Sequence, residues 1–468
     1  MSLLRRACLA RRHDAHLGTL LDELAAIHGE RRLVTQADGT TRTYRQAATL
    51  VAQWSAAITP GTTVVVALPN GYDQFLACIA VARAAAIPVP VNDRMSVEEI
   101  DHIVADSGAD RIVHAGEQLE GHDAVDARPP GDVAAIFYTS GTTGWPKGAR
   151  LSHRALVGSL GGAALWPTPL RRDETVVALP VAHIMGFVVL AGMATAGIPV
   201  YVLPRFEPVT VLDALEQRHA SVFVGVPAMY RMLLEAGADE RDLKSVRVWG
   251  SGADAMPPDL ARAFQRMGAT AHVLGIDVGQ ALFVEGWGMV ETSGAAIGHV
   301  AFPYVDGPTF PLPGYRIRID DGELLVKGPG LLEGYHGDPD ATAAVLRDGW
   351  LHTGDVARRG PLGTVHVVGR VKDVVKTGGF SVFAAEVERV LEEHPAVREA
   401  AVLGVPDKRL GEVPVAVVRG DVEPDDVIAF AADRLAHYKV PRRVLVLAQL
   451  PHGGTGKVNK DALRALFA

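Results

Sequence analysis

The stretch YTSGTTGWPKG, from Tyr138 to Gly148, directly follows the apolar run AAIFYT and carries the strongest signal in the sequence. Its three glycines and four small hydroxyl side chains allow backbone and side-chain donors to close around a polyphosphate, and Lys147 adds a positive charge. A mobile Ser/Gly linker is the alternative, but an apolar strand enters the segment and a helix beginning near Ser152 leaves it. Because Lys147 follows Pro146 and no helix starts on it, the segment differs from the GxxxxGK(S/T) phosphate loop. It predicts a phosphate-binding loop built by Thr139, Ser140, Gly141, Thr142, Thr143 and Lys147.

On both sides of this loop the pattern alternates amphipathic helices with short β-branched runs. Between Thr43 and about Val113, the runs TTVVVAL and IPVPVN flank the helical stretch FLACIAVARAAA, which is typical of βα units and a largely parallel sheet. Further runs of the same type are AAIFYT, ETVVALP, IPVYVL, SVFVGVP, SVRVWGSG and HVLGI. After Pro308, the glycine-separated segments YRIRID, GELLVKG and TVHVVGR favour short antiparallel strands instead.

The C-terminal part of the chain, from about Lys372, has the pattern of a separate small domain. The helix AAEVERVLEEH is followed by the strands REAAVLGV and VPVAVVRG, a second helix DDVIAFAADRLA and a closing strand RRVLVLAQL. At 468 residues the chain is also too long for one ordinary core. We therefore expect an α/β fold with a large N-terminal domain of mixed and parallel sheets with helices, residues 1–371, and a small mobile C-terminal α/β domain, residues 372–468.

The composition disfavours some classes of function. Hydrophobic residues make up 48% and charged residues 21% of the chain, which is typical of a globular protein. The net charge of -8 contains no basic block, so nucleic acid is not an expected partner. Because Cys8 and Cys78 are the only cysteines and neither lies beside a candidate base, we expect structural thiols in a reducing cytoplasm.

Two apolar segments resemble targeting or membrane signals. The N-terminal MSLLRRACLARRHD contains arginines that interrupt any signal-peptide core, and we interpret it as the first helix of the fold. The stretch Ala182–Leu203 is long and apolar enough to span a membrane. Its His183, its internal glycines and Pro199 favour a buried helix followed by a buried strand, so no membrane span is expected.

The loop YTSGTTGWPKG resembles the phosphate loop of the adenylate-forming (ANL) superfamily, which contains acyl-CoA synthetases, peptide-synthetase adenylation domains and luciferases. The resemblance continues in order over nearly the whole chain and is nearest to stand-alone acyl-CoA synthetases. TYRQAATLVAQW and VALPNGYDQFLACIAVARAAAIPVPVN are similar to the family's N-terminal subdomain.

Further matches imply where the acyl group and the adenine bind. PVAHIMGF places His183 at the border of the acyl pocket, although a lone His on an apolar segment is equally often a satisfied core residue. GVPAMY adds Val226 to the same pocket. GSGAD is similar to the adenine pocket and implies contacts from Gly252, Ala253 and Asp254, although a turn before a helix would look the same.

EGWGMVET matches the family's aromatic-Gly-x-Thr-Glu segment with one departure. Trp287 would offer an aromatic face to adenine next to Gly288, and Glu291 would offer a carboxylate to the Mg²⁺ that accompanies ATP. The departure is Val290, which stands where the family usually has Thr and cannot donate a hydrogen bond to the α-phosphate.

The resemblance extends to the expected domain boundary. LHTGD implies that Asp355 binds the ribose hydroxyls. In GRVKDVVKTGGF, Arg370 would contact ribose or phosphate and Lys372 would be the hinge between the domains. Gly378 and Gly379 suit a backbone that lets a narrow pantetheine arm pass, or they form a plain β-turn.

LPHGGTGKVNK matches the family's catalytic-lysine loop and implies that role for Lys457. Most lysines are solvated surface charges, but this one ends a glycine loop that could carry it into a site built by the other domain. The resemblance thus implies an ATP- and Mg²⁺-dependent ligase that converts a carboxylic acid to acyl-AMP and passes the acyl group to coenzyme A, with Lys457 and Glu291 in catalytic roles. The apolar segments around His183 and Val226 favour a hydrophobic acyl or aryl acid.

Three alternatives remain open at this point. A stand-alone ligase could load a carrier protein instead of coenzyme A. Val290 could weaken adenylation so far that the protein mainly completes an acyl-AMP made by a partner enzyme. A non-catalytic nucleotide or acyl-adenylate binder is disfavoured, because such a protein could dispense with Lys457.

Overall fold

A computed structural model of the protein describes residues 6, 15–115, 119, 123–129, 131–139, 145–166, 173–273, 276–302, 309–452 and 458–467. The chain forms two compact units, the first with Met1–Arg316 and Lys327–Leu346 and the second with Ile317–Val326 and Arg347–Ala468. The second unit therefore includes segments that precede Lys372. The expected domain boundary at that residue stays a prediction, because dense packing and a hinge are different properties of a chain. The expected N-terminal helix lies almost wholly outside the described residues.

Helices and strands alternate along most of the chain. The α-helices are α1 Leu20–His28, α2 Tyr44–Ala56, α3 Tyr72–Arg83, α4 Val97–Ser107, α5 His153–Leu156, α6 Ile184–Ala196, α7 Pro208–Gln217, α8 Pro227–Glu235, α9 Pro258–Met267, α10 Pro339–Val345, α11 Ala384–Glu392, α12 Pro424–Ala432 and α13 Lys460–Arg464. The strands from β1 to β16 are β1 Arg32–Gln36, β2 Thr41–Thr43, β3 Thr63–Ala67, β4 Ile87–Pro90, β5 Arg111–His114, β6 Val133–Thr139, β7 Lys147–Ser152, β8 Thr175–Val177, β9 Val200–Val202, β10 Val222–Gly225, β11 Val248–Gly252, β12 Ala271–Val273, β13 Ile276–Val278, β14 Leu282–Met289, β15 Gly294–Ala301 and β16 Thr309–Pro311. The remaining strands are β17 Arg316–Asp320, β18 Glu323–Lys327, β19 Gly334–Tyr335, β20 Leu346–Arg347, β21 Trp350–Arg359, β22 Val365–Arg370, β23 Val374–Thr377, β24 Phe380–Phe383, β25 Val397–Asp407, β26 Gly411–Gly420 and β27 Val444–Val446.

The largest sheet lies in the first unit and has the strand order β16-β15-β14-β11-β10-β8-β9-β1-β2. In the centre of this sheet, every pair of adjacent strands is parallel, from β14 through β11, β10, β8 and β9 to β1. Antiparallel strands are added at the edges, β15 and β16 on one side and β2 on the other. The mixed and largely parallel architecture expected from the sequence is confirmed.

Two of the expected parallel strands pair differently. AAIFYT forms β6, which pairs antiparallel with β7, and β19 adds to the other side of β7. HVLGI contributes β12, which pairs antiparallel with β13 outside the large sheet. The place beside β11 is taken by β14, whose Phe283 is fully buried, whereas Ile276 and Val278 of β13 are 67% and 49% exposed. By contrast β3, β4 and β5 form the parallel sheet predicted for the N-terminal part.

The long apolar stretch Ala182–Leu203 forms helix α6 and then strand β9, as predicted. His183 caps the start of α6, and Gly197 ends it with a left-handed backbone at φ 75°. Among the described residues, no helix has both the length and the apolarity to cross a membrane. Cys78 lies in α3 and is fully buried, and burial raises the pKa of its thiol, which agrees with a structural role.

An aromatic cluster holds the central strands of the first unit. Trp249 and Phe264 meet edge to face with ring centroids 5.0 Å apart, and Tyr230 packs against Phe264 at 4.9 Å. The Tyr230 hydroxyl donates to the Gly250 carbonyl at 2.6 Å. Because each of these rings removes a large apolar area from water, the cluster fixes β11 against α8 and α9.

The second unit contains two sheets. One has the order β17-β18-β21-β20 with β22 paired to β21, and the other has the order β24-β23-β26-β25 with β27 paired to β26. Helix α11 buries Val387 and Leu391 in a core shared with Val402, Val418 and Val427. The C-terminal helices and strands predicted from the sequence are present, and strands β23 and β24, which flank the β-turn suggested at Gly378 and Gly379, are an addition.

Candidate functional site

The predicted phosphate loop connects two antiparallel strands. Strand β6 ends at Thr139 and β7 begins at Lys147, and these residues face each other across the hairpin. Residues 140–144 lie outside the described residues, so the binding functions of Ser140, Gly141, Thr142 and Thr143 stay predictions. At the other end of β7, Ser152 caps α5 by accepting a hydrogen bond from the Ala155 N–H at 3.2 Å. The sequence thus predicted the helix correctly but missed the strand before it.

Side chains from two other elements hold the C-terminal end of this loop. Trp145 stacks on His102 of α4 with ring centroids 4.7 Å apart, and His102 Nε2 lies 3.2 Å from the Pro146 carbonyl oxygen. Because a carbonyl oxygen can only accept, Nε2 is the protonated nitrogen in this contact. Lys147 Nζ forms an ion pair of 2.8 Å with Asp338 Oδ2, which holds the pKa of the Asp338 carboxyl below its usual value.

The carboxyl ends of β10, β11 and β14 meet at one edge of the large sheet. Gly252 at the end of β11 lies opposite Gly286 of β14, and Val226 directly follows β10. Ligands of open α/β sheets bind beyond this edge. The structure therefore brings together the segments predicted for the acyl pocket and the adenine pocket.

The segment GSGAD leaves this edge in a strained turn. Ala253 has a left-handed backbone at φ 68°, which is uncommon for a residue with a Cβ and is often found at functional sites. Asp254 Oδ1 accepts from the Ala255 N–H at 2.8 Å, and α9 begins shortly afterwards. The segment is both a turn before a helix and part of the ligand-binding edge, so the two interpretations of the sequence are compatible.

Helix α6 begins beside the same edge. His183 Nδ1 accepts from the Met185 N–H at 3.3 Å and so caps the helix. A Cβ on Gly252 would lie 3.5 Å from Met185 Cε and 3.0 Å from the Gly286 carbonyl oxygen. The cap gives His183 a structural function next to the predicted acyl pocket, while its contact with the acyl group stays a prediction.

The segment EGWGMVET continues β14 through an irregularity. The register with β15 shifts between Trp287 and Gly288, and a Cβ on Gly288 would lie 1.9 Å from the Gly294 carbonyl oxygen. A side chain does not fit at this distance. The strand pairing itself therefore requires Gly288, whatever the residue contributes to nucleotide binding.

We expect Gly288→Ala to destabilise the fold by about 1–3 kcal/mol, the usual range for overpacking. The backbone of β14 or β15 would have to move to accommodate the methyl group, and thermal unfolding followed by circular dichroism should show a lower Tm. Gly131→Ala is the matched control, because a Cβ on Gly131 meets no atom within 4 Å. Equal melting temperatures for the two variants would contradict the steric argument.

Beyond β14, the short 3-10 helix Val290–Thr292 carries the carboxylate predicted to bind Mg²⁺. Glu291 is only 8% exposed, and its Oε1 accepts a hydrogen bond of 2.7 Å from the Tyr335 hydroxyl. Burial, with the Glu291 charge beside it, raises the pKa of Tyr335 above its usual value, so the tyrosine is the donor. The Glu291 carbonyl accepts from the Leu332 N–H at 2.9 Å. Both the backbone and the side chain of Glu291 are thus held by the segment around Tyr335.

A single carboxylate fits the Mg²⁺ that arrives with ATP. Among the described residues, no group of three or more His, Cys, Asp or Glu side chains could hold a metal ion on its own. Mg²⁺ in ATP sites is bound by one or two carboxylates together with phosphate oxygens and water. Glu291 is therefore a suitable protein ligand for the ion of MgATP.

The hydroxyl that Val290 lacks is not supplied by its neighbour. Val290 is 8% exposed, and Thr292 is fully buried two residues later. The Thr292 hydroxyl accepts from the Met289 N–H at 2.9 Å and donates to the Gly294 carbonyl at 2.6 Å. Since its hydrogen is used within the turn, Thr292 cannot take over the contact to the α-phosphate.

In the second unit, the two residues predicted to contact the ribose are neighbours. Asp355 of β21 lies opposite Arg370 of β22, and Arg370 Nε is 3.1 Å from Asp355 Oδ1. The Asp355 N–H donates to Thr353 Oγ1 at 3.0 Å. The pairing of the strands therefore presents a carboxylate and a guanidinium side by side.

The hinge and thiol-tunnel candidates also lie in the second unit. Lys372 is part of the short 3-10 helix Val371–Asp373, and burial lowers the pKa of its ammonium. Gly378 and Gly379, at φ 55° and 85°, form the two-residue turn of the hairpin β23-β24. A tight hairpin turn with positive φ at both positions requires such residues. The β-turn interpretation thus explains both glycines, and their contact with pantetheine stays a prediction.

Lys457 lies outside the described residues, but the base of its loop is described. His452 and Val458 form an antiparallel bridge, and the Asn459 N–H donates to the Pro451 carbonyl at 2.8 Å. These contacts hold the two ends of the loop together.

Sequence reasoning missed Tyr335 and Asp338. In GYHGDPDAT, Asp338 before Pro339 is the usual signature of a helix start, and Asp338 does cap α10. That signature gives no indication that the same side chain pairs with Lys147, or that Tyr335 binds Glu291.

Comparison with known proteins places these features in a family. The model of the AMP-binding enzyme family matches residues 21–129 and 113–336, and the model of the AMP-binding enzyme C-terminal domain matches residues 386–457. The chain is 36% identical to a feruloyl-CoA synthase of an Amycolatopsis species, with 92% of this chain and 94% of the relative covered.

Solved structures of similar proteins agree with this match. The o-succinylbenzoate CoA synthetase from Bacillus subtilis, in complex with its acyl-adenylate intermediate, aligns with a TM-score of 0.82 at 26% identity over 95% of this chain and 98% of the other. ATP-bound MatB from Rhodopseudomonas palustris aligns with a TM-score of 0.80 at 28% identity over 96% of this chain and 99% of the other. The chain therefore belongs to the AMP-binding enzyme family.

Proposed function

We propose that the protein is an AMP-forming acyl-CoA synthetase, which activates a hydrophobic carboxylic acid with ATP and transfers the acyl group to coenzyme A. The observation that carries this proposal is the arrangement around Glu291 in the first unit. There the Tyr335 hydroxyl donates to Oε1 of the buried carboxylate at 2.7 Å, and its ring centroid lies 5.7 Å from Lys147 Nζ of the phosphate loop. A carboxylate for Mg²⁺ and an ammonium for phosphate within reach of one side chain suit a polyphosphate ligand.

In the first half-reaction a carboxylate oxygen of the acid attacks the α-phosphorus of ATP, and the bond to the bridging oxygen of pyrophosphate breaks. Negative charge spreads over the phosphoryl oxygens, so the protein contributes mainly positioning and positive charge. Lys147 and Lys457 supply the charge, and Glu291 would hold the Mg²⁺ that screens the phosphates. The residues that we assign to the nucleotide are Thr139, Ser140, Gly141, Thr142, Thr143, Lys147, Gly252, Ala253, Asp254, Trp287, Gly288, Asp355 and Arg370.

In the second half-reaction the thiol of coenzyme A attacks the acyl-AMP carbonyl, loses its proton and displaces AMP. We assign the change between the two half-reactions to a turn of residues 372–468 about Lys372, and the passage of the pantetheine arm to Gly378 and Gly379. His183 and Val226 border the acyl group in this assignment.

Pyrophosphate release with and without coenzyme A separates the candidate activities. A complete synthetase releases pyrophosphate with acid and ATP and forms thioester when coenzyme A is added. An enzyme limited to the second half-reaction converts supplied acyl-AMP but releases little pyrophosphate, and a carrier-loading ligase needs an acyl carrier protein. A binder without catalysis gives neither product and would refute the proposal.

The acid is best sought with a panel of aryl and aliphatic carboxylic acids. The relative named feruloyl-CoA synthase, at 36% identity over 92% of the chain, makes hydroxycinnamic acids the first class to test. We expect the highest kcat/KM among hydrophobic acids, because the segments around His183 and Val226 are mostly apolar. A preference for small polar acids would contradict this assignment.

Replacement of the buried Val290 should change the rate of acyl-AMP formation. A hydrogen bond to a charged group is worth about 1.5 to 3 kcal/mol, so Val290→Thr should speed acyl-AMP formation by about 10-fold or more if the missing hydroxyl limits that step. Single-turnover measurement of acyl-AMP would detect the change. Val290→Ala is the control, because it changes the size of the side chain without adding a hydroxyl. An unchanged or lower rate for Val290→Thr would show that the pocket is built for an apolar residue, and would remove the main support for a second-half-reaction enzyme.

A further inference from the structure

We propose that Tyr335 is a positioning residue that orients the Glu291 carboxylate for the Mg²⁺ of MgATP, with the same side chain in contact with Lys147 through its ring. The inference rests on the proposed function and assigns a role to a residue outside the predicted nucleotide contacts.

Tyr335 contacts both charged groups at once. Its hydroxyl donates to Glu291 Oε1 at 2.7 Å. Lys147 Nζ lies over the ring, 5.7 Å from the ring centroid. A hydroxyl donor fixes the orientation of a carboxylate, whereas the negative face of an aromatic ring attracts a cation. The same side chain therefore stands between a negative and a positive group that both serve the polyphosphate.

Glu291 and Lys147 each have a partner of their own. Glu291 is only 8% exposed and accepts from Tyr335, and Lys147 pairs with Asp338 at 2.8 Å. The Lys147 and Asp338 side chains are 47% and 38% exposed, and ion pairs of this kind are weak. A phosphate group can thus displace Asp338, while the part-buried hydrogen bond from Tyr335 to Glu291 persists.

The backbone fixes the position of Tyr335. Strand β19 pairs with β7, where Tyr335 lies opposite Ala149, and the His336 N–H donates to the Gly148 carbonyl at 2.7 Å. Just before β19, the Leu332 N–H donates to the Glu291 carbonyl at 2.9 Å. The segment is therefore attached both to the strand that carries Lys147 and to the turn that carries Glu291. The phenol is aimed by the strand register rather than by the side chain alone.

The test compares Tyr335→Phe with Tyr315→Phe in the full-length protein. Tyr315 is a close match, because its hydroxyl donates at 3.1 Å to the carbonyl of Thr292, the residue next to Glu291. Both changes remove one part-buried hydroxyl near the same turn, but only one of them removes the donor to the carboxylate. The first measurement is the Mg²⁺ concentration that gives half-maximal acyl-AMP formation. The second is the affinity for ATP, by titration calorimetry, in Mg²⁺ and in EDTA.

For Tyr335→Phe we expect the Mg²⁺ requirement to rise by about 10-fold or more, the usual effect of removing a residue that orients a metal ligand. Excess Mg²⁺ should restore most of kcat. The affinity for ATP should fall in Mg²⁺ and stay unchanged in EDTA, and Tyr315→Phe should behave as the wild type in each measurement.

An unchanged Mg²⁺ requirement for Tyr335→Phe would overturn the proposal, as would an equal rise for Tyr315→Phe, since the loss would then come from general packing. Failure of the proposed function has a different signature: the wild type would release no pyrophosphate with any acid. The calorimetric comparison does not depend on turnover and would still decide the role of Tyr335.

Discussion

Replacement of Lys457 by alanine should slow acyl-AMP formation by a factor on the order of 100 or more, which is the effect of losing one preorganised electrostatic donor. The ammonium of Lys457 would stabilise the charge that develops while pyrophosphate departs. Conversion of preformed acyl-AMP to thioester should be much less affected, because that step releases no pyrophosphate. Rapid-quench measurement of acyl-AMP, and of thioester from supplied acyl-AMP, gives the two rates separately.

Lys408→Ala is a suitable control for this experiment. Lys408 is an exposed lysine in the turn between β25 and β26 of the same unit, so its replacement changes the net charge equally and leaves the sequence LPHGGTGKVNK intact. We expect the control to keep both rates. An equal loss in the two half-reactions of Lys457→Ala would refute the assignment, because a residue specific for pyrophosphate departure cannot slow both steps alike.

The features that the sequence predicted well are those with local signals. The helix after His183 and the strand after Gly197 follow from a cap, an apolar run and a glycine that accepts φ 75°. The alternation of βα units predicted the parallel centre of the large sheet. In the second unit, the apolar spacing of α11 places Val387 and Leu391 in the core.

Strand β14 was missed for a physical reason. Glycine normally weakens a strand, so the glycines of LFVEGWGM argue against one. In the structure Gly288 instead allows two strands to approach where the register shifts. The run HVLGI has the better strand composition but leaves its partner β13 exposed. Strand β14 enters the sheet and buries Phe283 in the core, an outcome that depends on packing against residues distant in the sequence.

The contacts of Tyr335 and Asp338 are beyond local reasoning altogether. Tyr335 and Glu291 are separated by 44 positions in the chain, and Lys147 and Asp338 by 191. A family resemblance predicted Lys147 and Glu291 as separate motifs but gave no sign of the segment that connects them. Such pairs become visible only when strand register is known, because β19 reaches Lys147 by pairing with β7.

The second large effect is expected at the proposed hinge residue, Lys372. Lys372→Pro should separate the two half-reactions, because a hinge must adopt two backbone conformations and proline fixes φ near -65°. Lys372 lies in the 3-10 helix Val371–Asp373, whose φ range includes this value. The variant should therefore hold the backbone in the conformation seen here. Lys372→Ala is the control, because it removes the ammonium while leaving the backbone free to turn.

If the held conformation is the adenylating one, acyl-AMP should form and remain bound, while thioester production should fall by a factor on the order of 100, as expected when a catalytic group cannot reach its position. Single-turnover formation of acyl-AMP and conversion of supplied acyl-AMP measure the two steps, and ATP binding by calorimetry shows that the variant is folded. Lys372→Ala should keep both steps. Full thioester synthesis from acid, ATP and coenzyme A by Lys372→Pro would mean that the chain does not need to turn at this position. The proposed boundary between residues 1–371 and 372–468 would then be wrong. The natural alternative is the start of the second compact unit, which lies before Lys372.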